Sequence, residues 1–442
     1  MKTTRILIVV LVSSLLGVAS LSALDFDFGG TLDNASTPTI TPVPAGYLVG
    51  MDQRNKLAAW LDMRFGTDVS LKAEGSYSFS LLVPYLFDID YLQVDWQALP
   101  WMKVTAGRFL FADFTGHVLN HKLDGAMLTF SVPFAVITAS AGYSGLVLKP
   151  ASTILMTLSD VADQSSTSVY FATQRIVEKV EALVPNYLPR QDLTISAILQ
   201  QDLRPANTLI QPGETDPFAT GGGTLSSQYW GVGLSGAIIS NLYYSSFFYL
   251  ETGTTLGFMT DSSSWQYANI LAYLGGIGVK YFNESLLSTR AELEAIISSG
   301  DPDNHTFLEG NTAGTSALFV PVSQDSLGIA FQPQWGNLVV IDANYSIKPF
   351  GKSPTVWQNL QLVAKVLNFL RPTTGAISSA GVTSTTEEVF LGTEFDLIAN
   401  FRPLSDLGTA LSFGVFVPNP YAFSGATAEP VFAGRLEFSF SF

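Results

Sequence analysis

The last twelve residues of the chain read VFAGRLEFSFSF, from Val431 to Phe442, and their polarity alternates at every step. One face of such a segment is apolar and aromatic, and the other carries Arg435 and Glu437. A period of two is typical of a β-strand. The apolar face must be covered, either by a protein core or by lipid, and in a membrane barrel the polar face looks into the lumen.

The composition favours lipid as the cover. Of 442 residues, 47% are hydrophobic and 13% charged, with a mean hydropathy of +0.29. Beyond the N-terminal segment no apolar run reaches the roughly 18 residues of a transmembrane helix. Because only helices and closed barrels span lipid with their backbone groups satisfied, a barrel is predicted. The net charge of −15 argues against nucleic-acid binding, and the absence of cysteine excludes disulfides and thiol catalysis.

The first 23 residues have the features of a signal peptide. Lys2 and Arg5 form a positive start, residues 6–18 are apolar, and residues 20–23 offer small side chains for cleavage. An uncleaved membrane anchor is the alternative. We therefore predict a signal peptide over 1–23, followed by a single outer-membrane β-barrel domain over 24–442.

Alternating segments fill the rest of the chain, and short connections alternate with long ones. They predict an all-β fold, a transmembrane antiparallel up-and-down barrel of about 18 strands, with 16 possible, and long external loops. The predicted strands are 24–32, 56–65, 69–81, 87–98, 101–111, 122–132, 134–147, 169–184, 192–203, 227–238, 242–252, 265–282, 285–299, 325–334, 337–348, 387–402, 407–417 and 431–442.

Three segments required a choice. Residues 34–47, rich in Thr and Pro, are predicted as a loop, and 169–184 as a strand although its apolar spacing also fits a helix. Ser353-Pro354 looks like a helix start, and apolar residues then recur every three or four positions. We predict one short helix over 354–370, within a loop; one more strand there would make the strand count odd.

The inward faces supply candidate pore-lining residues. Charged groups would be costly in a dry core, whereas lining water they shape the field that a solute meets. Arg108 breaks the alternation of its strand, and a bulge at Gly107 would return it to the lumen. These charges could instead pair across strands and brace the wall. Because they lean acidic, weak cation preference or little charge selectivity is expected. The predicted pore-lining residues are Lys72, Glu74, Asp95, Arg108, Arg290, Glu292, Glu294, Asp342, Glu394, Asp396 and Arg402.

A chain that ends on Phe442 in such a strand resembles the bacterial outer-membrane β-barrel proteins, whose terminal strand is read by the barrel assembly machinery. The segments 104–108, 123–126, 391–397 and 413–418 further resemble parts of alginate-export-type porins. The resemblance implies an 18-strand barrel that passes a solute across the outer membrane of a diderm bacterium.

On that family's pattern Arg108, Asp124, Glu394 and Asp396 would be wall residues near the pore. The substrate does not carry over, because this lumen is not strongly basic. The predicted function is diffusion of small polar solutes through a charged, water-filled lumen, with outer-membrane lipid and the assembly machinery as partners and no cofactor.

The sequence contains weaker signals for an enzyme or a metal site. An outer-membrane enzyme would need a base beside a nucleophile or paired acids. His117 and His121 lie four residues apart near Asp113, a spacing that could bind a metal, although a His pair in a polar loop is usually solvated. The only other histidine is His305. Residues 301–304, Asp-Pro-Asp-Asn, could hold calcium but read more simply as a turn. We therefore predict no enzyme and no metal site.

Two further alternatives involve the lumen and the loops. A plugged transporter for hydrophobic molecules, of the fatty-acid type, would suit inward Trp60, Phe390 and Ile398 and the 354–370 helix. The many inward charges count against it. An adhesin that acts through its long loops is the third possibility.

Overall fold

The computed structural model describes residues 24–81, 83–205, 209–216, 223–259, 261–304, 307–308, 314–379, 381–382 and 385–442. This part of the chain forms one sheet of eighteen antiparallel strands. They are β1 Leu24–Val43, β2 Gly46–Phe65, β3 Val69–Ser80, β4 Leu86–Leu99, β5 Met102–Ala112, β6 Asn120–Val132, β7 Ala135–Tyr143, β8 Arg175–Leu188, β9 Gln191–Asp202, β10 Leu225–Ile239, β11 Leu242–Met259, β12 Ser264–Asn283, β13 Thr289–Ser298, β14 Leu338–Ile347, β15 Gln361–Leu370, β16 Phe390–Phe401, β17 Leu407–Pro418 and β18 Val431–Ser441. The predicted signal peptide lies outside the described residues.

The sheet closes on itself through its first and last strands. Each strand pairs with its neighbours in sequence, and β1 pairs with both β2 and β18. At the seam, Gly30 and Phe442 exchange two backbone hydrogen bonds, of 2.9 and 3.0 Å. Closure leaves no free edge along this seam, which is how a sheet satisfies its backbone in lipid.

The two ends of the ring differ. Leu24 and Phe442 lie at the end where the connections are short, such as 66–68 and 240–241. We call this the turn end. The opposite end, called the loop end, carries the long connections, including 144–174 and 299–337.

The outer face of the wall is apolar. In β4, for example, Phe87, Ile89, Leu92, Val94 and Trp96 are all exposed. Aromatic rings such as Trp96 and Phe87 lie about nine residues apart along the strand, close to the roughly 9–11 residues that a tilted strand needs to cross lipid. This belt is the surface predicted from the alternation of the sequence. No helix in the described ranges has the length and apolar character needed to cross a membrane.

The loop-end half of the barrel is filled by its own connections. The segments 113–119, 144–174 and 314–337 fold inward, and their apolar side chains form one buried cluster with the wall. Phe331, for instance, stacks on Phe416 with ring centroids 4.1 Å apart. The described helix is α1, Leu158–Ser165, capped by Thr157. Short 3₁₀ turns occur at Lys149–Ala151, Val356–Asn359 and Gly425–Ala428.

Two predictions were wrong, and they cancelled in the count. Residues 354–370 form a 3₁₀ turn followed by strand β15, not a helix. The helix-start signature of Ser353-Pro354 is satisfied by that single turn, after which pairing with β14 and β16 decides the conformation. Residues 325–334, predicted as a strand, alternate in polarity but lie inside the barrel without a strand partner.

Two more boundaries differ from the prediction. Residues 34–47 are mostly strand, because β1 pairs with β2 as far as Val43 and with β18 as far as Ile40, although β2 leaves β3 earlier, at Arg54↔Ser80. Threonine and isoleucine in this stretch favour extended backbone despite its prolines. The ambiguous segment 169–184 does contain a strand, which starts at Arg175.

Candidate functional site: the lumen

A cavity on the lumen face of the wall lies on β2, β3 and β4. Trp60, Glu74 and Tyr91 are cross-strand neighbours in one row, and Asp62, Lys72 and Gln93 form the next row towards the turn end. Together they line a cavity of about 390 Å³. Its volume lies in the range of small-molecule sites, roughly 300–1,000 Å³.

One charged group of this cavity is unpaired. Among the described residues, the Lys72 amine makes no ion pair or hydrogen bond, although Asp62 is its direct cross-strand neighbour. The Asp62 Oδ1 atom also lacks a hydrogen-bond partner in the described structure, but it is buried from solvent. The cavity therefore combines aromatic faces with one free cationic donor.

Several other charges of this wall are paired, whereas Arg64 on β2 also makes no ion pair or hydrogen bond among the described residues. The Asp90 carboxylate forms ion pairs with Lys56 at 2.9 Å and Lys122 at 3.0 Å, and the Asp95 carboxylate forms one with Lys103 at 2.9 Å. Asp90 was not found from the sequence, because a bulge in β4 opposite Glu74 shifts the alternation at that position. The bulge shows in the sequence as a change of parity, from apolar Phe87 and Ile89 to apolar Leu92 and Val94.

Four predicted pore-lining residues lie together on β13 and β14. Glu292 forms ion pairs with Lys280 at 3.4 Å and with Arg290 at 2.5 Å. Glu294 and Asp342 face each other across the two strands, a like-charge pair, and Lys365 on β15 contacts Asp342 at 3.2 Å. These charges both face the lumen and brace the wall.

Glu394 and Asp396 lie under an inward loop. The side chain of Glu394 is 0% exposed and accepts hydrogen bonds from the backbone N–H groups of Ile329, Ala330 and Phe331 at 2.6, 2.7 and 2.8 Å. Asp396 is 2% exposed. Glu394 thus holds the 325–334 segment against the wall, a role that the sequence did not indicate.

Other carboxylates hold backbone in the same way. Glu251 on β11 accepts the N–H of Val320 at 2.9 Å, and Asp113 accepts those of Val118 and Leu119 at 3.1 and 2.7 Å. The inward loops are therefore fastened to the wall from several sides. Each such bond replaces a hydrogen bond to water that the buried backbone has lost.

A buried ion network fixes helix α1. Arg175 is fully buried and contacts Asp160 at 2.9 Å and Asp202 at 3.3 Å. Arg204, in the connection after β9, contacts Asp160 at 3.1 Å. Burial by itself lowers the pKa of Arg204, but the hydrogen bond to Asp202 and the charges of Asp160 and Asp202 outweigh it and raise that pKa. The network ties the 144–174 loop to β8 and β9.

The two remaining predicted residues lie elsewhere. Arg402 donates to the carbonyl of Ser405 in the turn after β16, at the turn end. Arg108 lies at a break in the wall between β4 and β5, where it pairs with Asp124 at 2.8 Å and Asp88 at 3.1 Å. The bulge expected at Gly107 is absent, since the pairing with β4 and β6 passes through Gly107 and Arg108 without a register shift, although Gly107 has a φ of 116°.

The histidine pair is packed rather than solvated. His117 contacts Asp325 at 3.5 Å and the ring of Trp335 edge-on, and His121 is buried beside Thr153. No group of three or more metal ligands occurs among the described residues. Residues 302–303 form a turn, as expected, while His305 lies outside the described residues.

Comparison with known proteins gives similarity in structure alone. No protein-family model matches the chain, and no curated protein sequence is similar to it. Among solved structures, OpdQ of Pseudomonas aeruginosa has a TM-score of 0.57 at 10% identity, over 95% of this chain and 98% of that one. OprD of the same organism has a TM-score of 0.54 at 10% identity, over 96% and 97%.

A third structure, OccK2 (OpdF) of Pseudomonas aeruginosa in complex with glucuronate, has a TM-score of 0.57 at 11% identity, over 95% and 98%. The chain has the outer-membrane porin fold. At such low identity the shared porin fold concerns the path of the backbone. A solute for this chain has to be argued from its own lumen residues.

Proposed function

We propose that this protein is a porin of the outer membrane of a diderm bacterium, through which small polar solutes diffuse. The observation that carries the proposal is the closed wall, apolar outside, with the 390 Å³ cavity of Trp60, Asp62 and Lys72 on its inner face. Lipid covers the outer belt, and water and solute meet the charged face. This function needs no catalysis and no cofactor.

Unpaired groups are the ones that a passing solute meets. A paired charge, such as Lys103 on Asp95, has its field largely cancelled at close range. Lys72 keeps its full charge, so we assign the contact with solute to Lys72, with Trp60 and Tyr91 as apolar faces of the same cavity. The remaining predicted pore-lining residues then act mainly on the wall and its loops.

The resemblance to alginate exporters adds no substrate. An acidic polysaccharide would need a strongly basic path, whereas here the lumen lysines Lys56, Lys103, Lys280 and Lys365 each lie against a carboxylate. Small solutes without a strong charge suit this surface better. The resemblance remains a hypothesis about the family.

Planar-bilayer recording of the purified, refolded protein tests the proposal. We expect stepwise ion conductance, and Lys72→Gln raises the cation-to-anion permeability ratio because it removes an unpaired positive charge from the lumen. Lys352→Gln is the matched control, since Lys352 donates to Ser285 in the connection after β14 at the turn end. Absence of conductance steps would refute the porin; steps whose selectivity changes equally in both variants would refute the role of Lys72.

We also propose that the assembly machinery reads the terminal strand and its Phe442. The seam supports this, because Phe442 makes both backbone hydrogen bonds to Gly30 that end the β1–β18 ladder. Phe442→Ser should lower the amount of folded barrel in the outer membrane, and Phe442→Tyr should restore it. Heat-modifiable migration on gels measures the folded fraction, and equal levels in both variants would contradict the proposal.

A further inference from the structure

The wall has a break between β4 and β5. Their hydrogen-bonded pairing runs from Leu99↔Met102 to Leu92↔Arg108 and stops there. Both strands continue: β4 pairs with β3 as far as Leu86, and β5 pairs with β6 as far as Ala112. Over residues 86–91 and 109–112 the two strands thus face each other without a ladder.

Gly107 sets the place of the break. Its φ of 116° is one that L side chains rarely adopt, and a Cβ there would lie 1.9 Å from the carbonyl oxygen of Leu92. The two backbones therefore approach closely at the last pair and separate beyond it. Unpaired strand edges are costly in lipid, so the gap must be filled by other polar groups.

Arg108 fills it. Its guanidinium donates to the carbonyl oxygens of Ile89 and Leu146, both at 2.9 Å, and to Asp88 and Asp124. Ile89 belongs to β4 and Leu146 to the 144–174 loop, so one side chain links both sides of the gap with the loop above it. In the sequence, Arg108 stands at a position where the alternation of β5 predicts an apolar side chain, and this was the mark of the break.

A cavity lies on each side of Arg108. The outer one, about 580 Å³, is bounded by apolar residues of the lipid-facing wall and of the loop, including Leu57, Phe87, Leu146 and Phe171. The inner one, about 190 Å³, is bounded by polar lumen residues, including Asp90, His121 and Thr153. Asp88, Ile89 and Arg108 line both cavities and therefore lie between them.

The break lies at the level of the outer aromatic belt. Phe87 and Tyr85 are 75% and 72% exposed, and the ring of Phe87 packs on Tyr77 with centroids 4.8 Å apart. In barrels such rings mark a membrane interface. The outer cavity is thus continuous with the surface that the lipid tails cover.

We propose that this break is a lateral portal through the barrel wall, gated by Arg108, for an amphipathic solute with a single alkyl chain. The apolar outer cavity takes the chain. The inner cavity takes a neutral polar head, because its charges are already paired, as Lys122 with Asp90 and Arg108 with Asp88. The solute exchanges between the lumen and the adjacent membrane leaflet, independently of ion flow along the barrel.

The absence of cysteine in the chain makes a direct test possible. Thr153→Cys places a thiol in the inner cavity, and Ser245→Cys places one on β11, on the same lumen face as Glu294. Each variant in liposomes is treated with N-dodecylmaleimide dissolved in the bilayer, or with a sulfonated maleimide in the water. The rate of labelling by N-dodecylmaleimide divided by the rate of labelling by the sulfonated maleimide reports access from the lipid.

We expect this ratio to be several-fold higher for Thr153→Cys than for Ser245→Cys, and to rise further when Arg108→Ala is added. An excess of 1-dodecanol should slow labelling of Thr153→Cys by the alkyl reagent only. Equal ratios at the two positions, or no labelling of Thr153→Cys from the bilayer, would overturn the portal. Neither result depends on whether the barrel conducts ions.

Discussion

Replacing Glu394 with Gln should release the 325–334 segment from the wall. The carboxylate accepts three backbone N–H bonds of 2.6–2.8 Å in a fully buried site. A glutamine oxygen can keep two of them as neutral bonds, while its NH₂ group faces the third donor. A bond to a charged acceptor is worth at least about 1.5 kcal/mol and a neutral one about 1, so exchanging three charged bonds for two neutral ones costs at least about 2.5 kcal/mol.

That loss is local, because the segment makes no ladder bonds with any strand. It corresponds to roughly a hundredfold rise in the open population of the segment. Hydrogen exchange measured by mass spectrometry in detergent should show the amides of Ile329, Ala330 and Phe331 losing protection by that factor. The amides of β16 and β17 and the thermal unfolding of the barrel should change little.

Glu292→Gln is the matched control. Glu292 also faces the lumen, but its partners Lys280 and Arg290 are charged side chains that are 44% and 47% exposed. Such pairs contribute about 0–1 kcal/mol. If protection of the 329–331 amides stayed unchanged in Glu394→Gln, or fell equally in Glu292→Gln, the assignment of Glu394 as the holder of this loop would be wrong.

Three further substitutions test the packing. Arg175→Met leaves Asp160 and Asp202 with Arg204 as their one remaining cation and should cost up to about 3 kcal/mol, seen as faster proteolysis of the 144–174 loop. Gly125→Ala puts a Cβ 2.0 Å from the carbonyl of Ala141 and should lower the temperature at which the barrel unfolds on gels. Trp335→Ala empties a fully buried site inside the barrel and should cost about 3–5 kcal/mol, read from hydrogen exchange of the 314–337 segment.

The strands of the wall were predictable from the sequence because the residues of each strand alternate between an apolar and a polar face. Alternation in segments such as 387–402 and 431–442 requires only that one side meets an apolar phase and the other water, a local property of period two. The count of eighteen was nevertheless reached with one false strand, 325–334, and one missed strand, 361–370. The segment 325–334 has the alternation of a strand, and 361–370 has the apolar spacing of a helix. Their conformations are decided by the segments that pack against them in the folded barrel.

The lumen was predictable in composition and not in arrangement. Charges that face inward were found, but whether one stays free, as Lys72 does, or holds a loop, as Glu394 does, depends on residues tens of positions away. The sequence by itself determined a closed ring of strands with an apolar outer face. The tertiary structure alone decided which loops fold into that ring and which carboxylates fasten them, because these are contacts between distant segments and leave no periodic trace.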